Sequence, residues 1–229
     1  SAPQSPSIPA ALLWDMDGTI IDTEPYWIVA ECELAAQFGT TWTHQDGLDV
    51  VGQGLPYTAT RLQERGVALE LEDIIEKLTS RVLDQLTGEL PWRPGALDML
   101  MAAHEAGYRQ ALVTMSISRM ARHIASLIPN RPFEFVVSGS DVAHSKPAPD
   151  AYFLAASLLD VDIVHCVAFE DSPSGCTSAF TANAVTIGIP HLVSLEDTPR
   201  DHLLASLENV SLGDVEELYR ASRVSVEKS

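Results

Sequence analysis

Short, almost wholly apolar runs alternate with helical patterns through most of this chain, and that rhythm restricts its possible folds more than any other feature. Ala11-Leu12-Leu13-Trp14 is one such run, Ala111-Leu112-Val113 another, and Phe133 to Val137, Ile163 to Phe169 and Val185 to Ile189 follow. Between them lie segments with helical spacing. Gly95 to Ala106 carries Leu97, Leu100 and Met101 on one face and stops at Gly107; Met120, Ile124, Leu127 and Ile128 mark the next helix. Pro149-Asp150 opens a helix with Tyr152, Ala155, Ala156 and Leu159 in register, and Gly175 to Ala182 reads as a further one. Strands apolar on both faces need cover on both sides, so the pattern predicts a doubly wound parallel α/β sheet with helices on each face.

One stretch breaks the rhythm. From Glu24 to about Leu90 the pattern is helical throughout, with Trp27, Ala30, Leu34 and Phe38 on one face and Leu71, Ile74, Ile75 and Leu78 on another. It reads as a small all-helical cap inserted after the first strand, over residues 24–91, in a core formed by 10–23 and 92–229. Hinges are expected near Asp22–Pro25 and Pro91–Pro94, with Trp92 as a packing anchor. Residues 1–9, rich in Ser and Pro, read as a loose leader.

The charge balance narrows the partners. Lys plus Arg number 14 against 32 Asp plus Glu, a formal charge of −18, which excludes polyanionic partners such as nucleic acid or an anionic membrane. A phosphorylated metabolite would have to be received by a metal or a few chosen cations. Cys32, Cys166 and Cys176 form no CxxC pair and suggest a reducing compartment, and no apolar run reaches the length of a membrane span. A cytoplasmic protein, monomeric by default, is expected.

The polar residues that matter follow directly on the strand runs. Asp15 and Asp17 follow Trp14, Thr114 follows Val113, and Glu170 and Asp171 follow Phe169. In open α/β sheets ligands bind beyond the carboxyl ends of the strands, so these groups can converge from distant parts of the sequence. In Asp15-Met16-Asp17-Gly18, one carboxylate can attack phosphorus while the other handles a proton, and Gly18 permits the tight turn. Glu170-Asp171-Ser172-Pro173-Ser174-Gly175 supplies a second acidic cluster. Carboxylates gathered at one site repel each other and a phosphate unless a cation intervenes, and hard oxygen ligands favour Mg²⁺. Lys146, set between prolines in Ser145-Lys146-Pro147-Ala148-Pro149-Asp150, is a rigidly placed charge for a phosphoryl oxygen, and Thr114 offers it a hydroxyl. Taken singly, each piece has an everyday reading: an Asp-Gly turn, acids at a helix N-terminus, a solvated lysine, a capping threonine.

Together, the order DMDGT-I-I-D, Thr114, Lys146, Glu170-Asp171 resembles the haloacid dehalogenase-like hydrolase superfamily. SKPAPD and EDSPSG are similar to the branch holding β-phosphoglucomutase and related sugar phosphatases. The likeness runs from about Leu12 to Pro190. It implies that Asp15 is the nucleophile, forming an aspartyl-phosphate, and that Asp17 is the general acid and base. It implies Mg²⁺ held by the Asp15 carboxylate, the Asp17 backbone carbonyl and Asp171, with Glu170 as ligand or close support. Thr114 and Lys146 would bind the phosphoryl group, and Gly18, Thr19, Met115 and Ser116 would shape its pocket.

Three readings of activity follow. A phosphatase for a small, sugar-phosphate-like metabolite stands first. A phosphosugar mutase is the alternative, set back by Trp27 where those relatives usually carry a cap His and by Gly52-Gln53-Gly54-Leu55 where they carry an Arg. A phosphoacceptor signalling module shares the carboxylates, Mg²⁺, Thr and Lys, but needs no helical cap. No GxxxxGK[ST] or HExxH is present, and Gly52-x-Gly54 lacks the third glycine of a dinucleotide fingerprint.

Overall fold

A computed structural model describes residues 6–227. Residues 1–5 of the expected leader lie outside the described residues. The first strand, β1 (Ala11–Trp14), lies at the centre of a six-stranded sheet. A helical segment follows: α1 (Glu24–Gln37), α2 (His44–Asp49), α3 (Leu55–Glu64) and α4 (Leu71–Gln85). The alternating part then runs α5 (Ala96–Glu105), β2 (Arg109–Val113), α6 (Ser118–Leu127), β3 (Phe135–Val137), α7 (Asp150–Leu159), β4 (Cys166–Glu170), α8 (Pro173–Thr181) and β5 (Val185–Gly188). It ends with β6 (His202–Leu203) and α9 (Leu212–Glu227).

The strand order is β3-β2-β1-β4-β5-β6, every neighbouring pair parallel. This is the doubly wound arrangement the sequence predicts. Its order reverses between β1 and β4, and that switch point opens a crevice beyond their carboxyl ends. Alternation along β1 and β4 divides their side chains between two cores. Leu12, Trp14, Val167 and Phe169 enter one layer, while Ala11, Leu13, Cys166 and Ala168 enter the other. The first layer takes the bulk: Trp14 and Phe169 stack with ring centroids 4.1 Å apart, and Trp14 Nε1 donates to Gln110 Oε1 at 2.8 Å.

The helical segment α1–α4 is the inserted cap. Its two crossings to the sheet run side by side: Asp22 N–H donates to the Pro91 carbonyl at 2.8 Å, and Arg93 N–H to the Ile20 carbonyl at 2.8 Å. An antiparallel bridge joins Ile21 to Trp92, which is half-buried against the core as an anchor should be.

Several elements differ from the sequence reading. Ile163–His165 is a short 3₁₀ turn, not strand, because Asp162 Oδ1 accepts from Val164 N–H at 3.1 Å and holds the backbone in a turn; the strand begins at Cys166. The third strand starts at Phe135 rather than Phe133. Leu127 is exposed, and the buried face of α6 is completed by Ile128 just past the helix end. Phe38, read as part of the buried face of α1, is exposed at its C-cap. The sequence reading had no place for β6 and α9. The strand is two residues long, too short to show a period.

Candidate active site

Each strand at the switch point delivers one piece. Asp15 N–H donates to the Phe169 carbonyl at 3.1 Å, so β1 stays in register with β4 up to the first carboxylate. The chain then turns at Gly18, whose φ is +83°; a Cβ there would lie 2.1 Å from Asp171 Oδ2. Gly18 therefore serves the turn and also lets the first acidic motif pack on the second.

Lys146 is the hub. Its side chain is 4% exposed, and Nζ donates to Asp15 Oδ1 at 3.0 Å, Glu170 Oε1 at 2.6 Å and the Val113 carbonyl at 2.8 Å. Burial works against its charge, yet the Asp15 and Glu170 carboxylates more than offset it and hold the ammonium protonated. Glu170 is fully buried, and burial, then the Asp15 charge, pushes its carboxyl up to about 8 in spite of Lys146. Tyr152 Oη also donates to Glu170 Oε1, at 2.5 Å. Glu170 Oε2 is buried with no hydrogen-bond partner among the described residues, and it occupies the space a Cβ on Gly175 would need, 1.9 Å from that position.

Thr19 Oγ1 lies 2.9 Å from Asp15 Oδ2 and 3.0 Å from Asp171 Oδ1. One hydroxyl proton cannot serve two carboxylates, so the second contact needs a proton or a cation among them. Burial, then the Asp15 charge, pushes the Asp171 carboxyl well above its usual range. Asp15, Glu170 and Asp171 each place an oxygen within 4.8 Å of the others. An all-carboxylate set with one lysine, an orphaned buried oxygen and no imidazole or thiolate fits a hard divalent cation.

Asp17 turns away from this cluster. Oδ1 accepts from Thr23 Oγ1 at 2.5 Å and from Trp27 Nε1 at 3.4 Å; Oδ2 accepts from Ser116 Oγ at 2.7 Å and from Thr114 Oγ1 at 3.5 Å. Its side chain is not among the three clustered carboxylates, which leaves its backbone carbonyl as the group it could offer a metal. Burial raises its pKa against the pull of Thr23 and Ser116, with Asp15 adding to the rise. Thr114 Oγ1 also accepts from Ser116 N–H at 3.1 Å, which pins both residues of that loop. Met115 runs back along Lys146, whose N–H lies 3.4 Å from its sulfur.

All ten candidate residues thus gather at the switch point, most of them on a cavity of about 570 Å³. The core loops form one wall; α1, the loop Val50–Gly54 and the start of α3 form the other. The loop touches the core directly, Ser174 Oγ donating to the Gly52 carbonyl at 3.2 Å. Sequence reasoning missed Thr23, Tyr152, Glu24 and Glu31. A signal existed for three of them. A Tyr on an otherwise apolar helix face needs a partner for its hydroxyl, and Glu24, Trp27 and Glu31 share one helical face.

Comparison with known proteins agrees with this geometry. The haloacid dehalogenase-like hydrolase family matches residues 9–183. The chain is 32% identical over 191 residues to the phosphorylated carbohydrates phosphatase of Thermotoga maritima, covering 79% of this chain and 85% of that protein. It is 28% identical over 212 residues to hexitol phosphatase B of Escherichia coli O157:H7, covering 91% and 93%. The crystal structure of CbbY from Rhodobacter sphaeroides in complex with phosphate superposes with a TM-score of 0.82 at 28% identity, covering 91% of this chain and all of that one. The chain belongs to the haloacid dehalogenase-like hydrolases, in keeping with its motifs. It is a phosphoric monoester hydrolase of that family. Among the described residues no helix is long and apolar enough to cross a membrane.

Proposed function

We propose that the chain is a Mg²⁺-dependent phosphatase that hydrolyses a small, sugar-phosphate-like metabolite through an aspartyl-phosphate on Asp15. The observation that carries this reading is the single buried ammonium of Lys146 bridging Asp15 and Glu170 at the floor of a metabolite-sized cavity.

In the first step an Asp15 carboxylate oxygen forms a bond to phosphorus as the bond to the leaving oxygen breaks. Asp17, whose raised pKa keeps a proton available, protonates that oxygen. In the second step water attacks the acyl phosphate, Asp17 takes its proton, and phosphate and the Asp15 carboxylate are regenerated. Lys146 and Thr114 neutralise and position the phosphoryl oxygens, with Gly18, Thr19, Met115 and Ser116 shaping the space around them. Mg²⁺ held by Asp15, Asp171 and the Asp17 carbonyl, with Glu170 in support, would offset the charge that the carboxylates and phosphoryl group bring together. Residues 24–91 act as a cap whose closure excludes bulk water. We place the enzyme in the cytoplasm as a monomer.

The relatives support the substrate class, since two of them are named for phosphorylated carbohydrates and for hexitol. The mutase alternative fares worse, because the His and Arg it would use are absent and Trp27 contacts the acid instead. The test is turnover of a generic aryl phosphate with Mg²⁺, with and without chelator. Many turnovers, lost on chelation and restored by Mg²⁺, with borohydride reduction of quenched enzyme converting residue 15 to homoserine, support the reading. One stoichiometric phosphorylation would point to a signalling module, and labelling at another residue would remove Asp15 as nucleophile.

A further inference from the structure

The three N–H bonds of the Lys146 ammonium all have acceptors: the Val113 carbonyl at the end of β2, Asp15 just past β1, and Glu170 at the end of β4. The carbonyl is fixed by the sheet backbone. Asp15 is no lasting partner, because the proposed reaction turns its carboxylate to phosphorus. Glu170 then has to keep the ammonium in place, and its carboxyl group ends a side chain that can turn about several torsions. Little prevents that turning. Lys146 and Tyr152 are the two hydrogen-bond donors to this carboxyl among the described residues, at 2.6 and 2.5 Å. Both bonds end on Oε1, so they stand whether or not Oε2 carries a proton. Oε2 has no partner among the described residues and packs against Gly175. Without the Tyr152 hydroxyl, Lys146 alone would hold the group that has to hold Lys146.

Tyr152 stands in the first turn of α7, fully buried, in the core layer that holds Ala11, Leu13 and Ala168. Its ring centroid lies 5.4 Å from Lys146 Nζ, so one side chain meets both partners, the ring beside the ammonium and the hydroxyl on the carboxyl. Asp15 and Lys146 line the cavity, whereas Tyr152 and Glu170 stand behind them. Its neighbours in that layer are apolar, so the ring packs there without need of a hydroxyl. We propose, resting on the phosphatase reading, that Tyr152 is a positioning residue: its hydroxyl fixes Glu170, and Glu170 keeps Lys146 aimed at the phosphoryl group while Asp15 is bonded to phosphorus. Electrostatic stabilisation of a transferring group depends on donors already in place when charge develops. A misplacement of about 1 Å can cost about 100-fold, so a loosened carboxyl behind the lysine is felt in the rate.

The test compares Tyr152→Phe with Tyr108→Phe, which removes a hydroxyl bonded to Glu216 away from the cavity. On an aryl phosphate with Mg²⁺, Tyr152→Phe should lower kcat by about 10-fold at unchanged KM, per folded molecule as counted by circular dichroism. Tyr108→Phe should leave both constants at their wild-type values. A second readout needs neither metal nor turnover. Buried, hydrogen-bonded protons exchange slowly, so Lys146 of the metal-free protein should give an ammonium NMR signal, identified by its loss in Lys146→Met. Tyr152→Phe should shift or broaden that signal, and Tyr108→Phe should not. Wild-type kcat in Tyr152→Phe, an effect confined to KM, or a Lys146 signal that is absent from wild type or unmoved in the variant overturns this inference and leaves the phosphatase standing. Failure of the wild type to turn over the aryl phosphate removes both.

Discussion

On the core wall of the cavity the carboxylates Asp15 and Glu170 share one buried ammonium, and Asp17 accepts four hydrogen bonds, whereas on the α1 wall Glu24 and Glu31 face the same space without a cation. The core wall comes from the ends of three strands locked in register by a buried sheet, and from Lys146 in the turn before α7. The α1 wall comes from one face of one helix joined to the sheet by two adjacent crossings. Charge that is balanced internally serves a fixed task whatever arrives. Burial keeps both α1 glutamates largely protonated at neutral pH, so the first wall concentrates charge while the second presents neutral carboxyls.

Four substitutions break or sharpen that contrast. Asp15→Asn, which barely changes volume, should lower kcat by about 10⁴-fold or more while circular dichroism shows the fold retained. Retained turnover would end the nucleophile assignment. Lys146→Met leaves Asp15 and Glu170 buried together without their counterion, and denaturant unfolding of the metal-free protein should show a loss of about 3–5 kcal/mol. An unchanged midpoint would mean that the core wall is not balanced by Lys146.

Gly175→Ala opposes two effects. Helix propensity alone favours Ala by about 1 kcal/mol, but the new Cβ would meet Glu170 Oε2 at 1.9 Å. Packing should win, with a net loss of about 1–3 kcal/mol in chemical denaturation; a gain would show that Glu170 moves freely. Glu31→Gln should do the reverse and stabilise. The native pKa of Glu31, about 8, stands above its ordinary 4.5, so between those values the native state holds a proton that the unfolded chain releases. Wild-type stability therefore falls as pH rises through that window. The variant should match wild type near pH 4.5 and exceed it by about 1–3 kcal/mol near pH 8, read from urea midpoints at both pH values. No difference at the higher pH would mean that Glu31 carries no cost.

Much of the core wall was legible in the residues, because an Asp-x-Asp-Gly turn and an acid pair each followed directly on an apolar run. Position relative to a strand end is a local property, and the doubly wound topology then fixes which ends meet. Lys146 was legible for another reason, as a lone cation held between prolines in an acidic chain. The cap wall was not. Glu24 and Glu31 share a helical face with Trp27, but only the fold shows that this face lines the cavity. Tyr152 read as core because periodicity registers burial and not what a hydroxyl touches. Ile163–His165 read as strand because an apolar run does not reveal that Asp162 bends it.

The sequence by itself determined the class of sheet, the helical insertion and the residues proposed here for phosphoryl chemistry, since periodicity and motif order act over a few residues at a time. Only the tertiary structure decided that Lys146 bridges Asp15 and Glu170, that Glu170 keeps an orphaned oxygen against Gly175, and that the cap presents acids rather than cations to the cavity. Those relations join residues up to 131 positions apart, and they depend on how strand ends and one helix face converge in space.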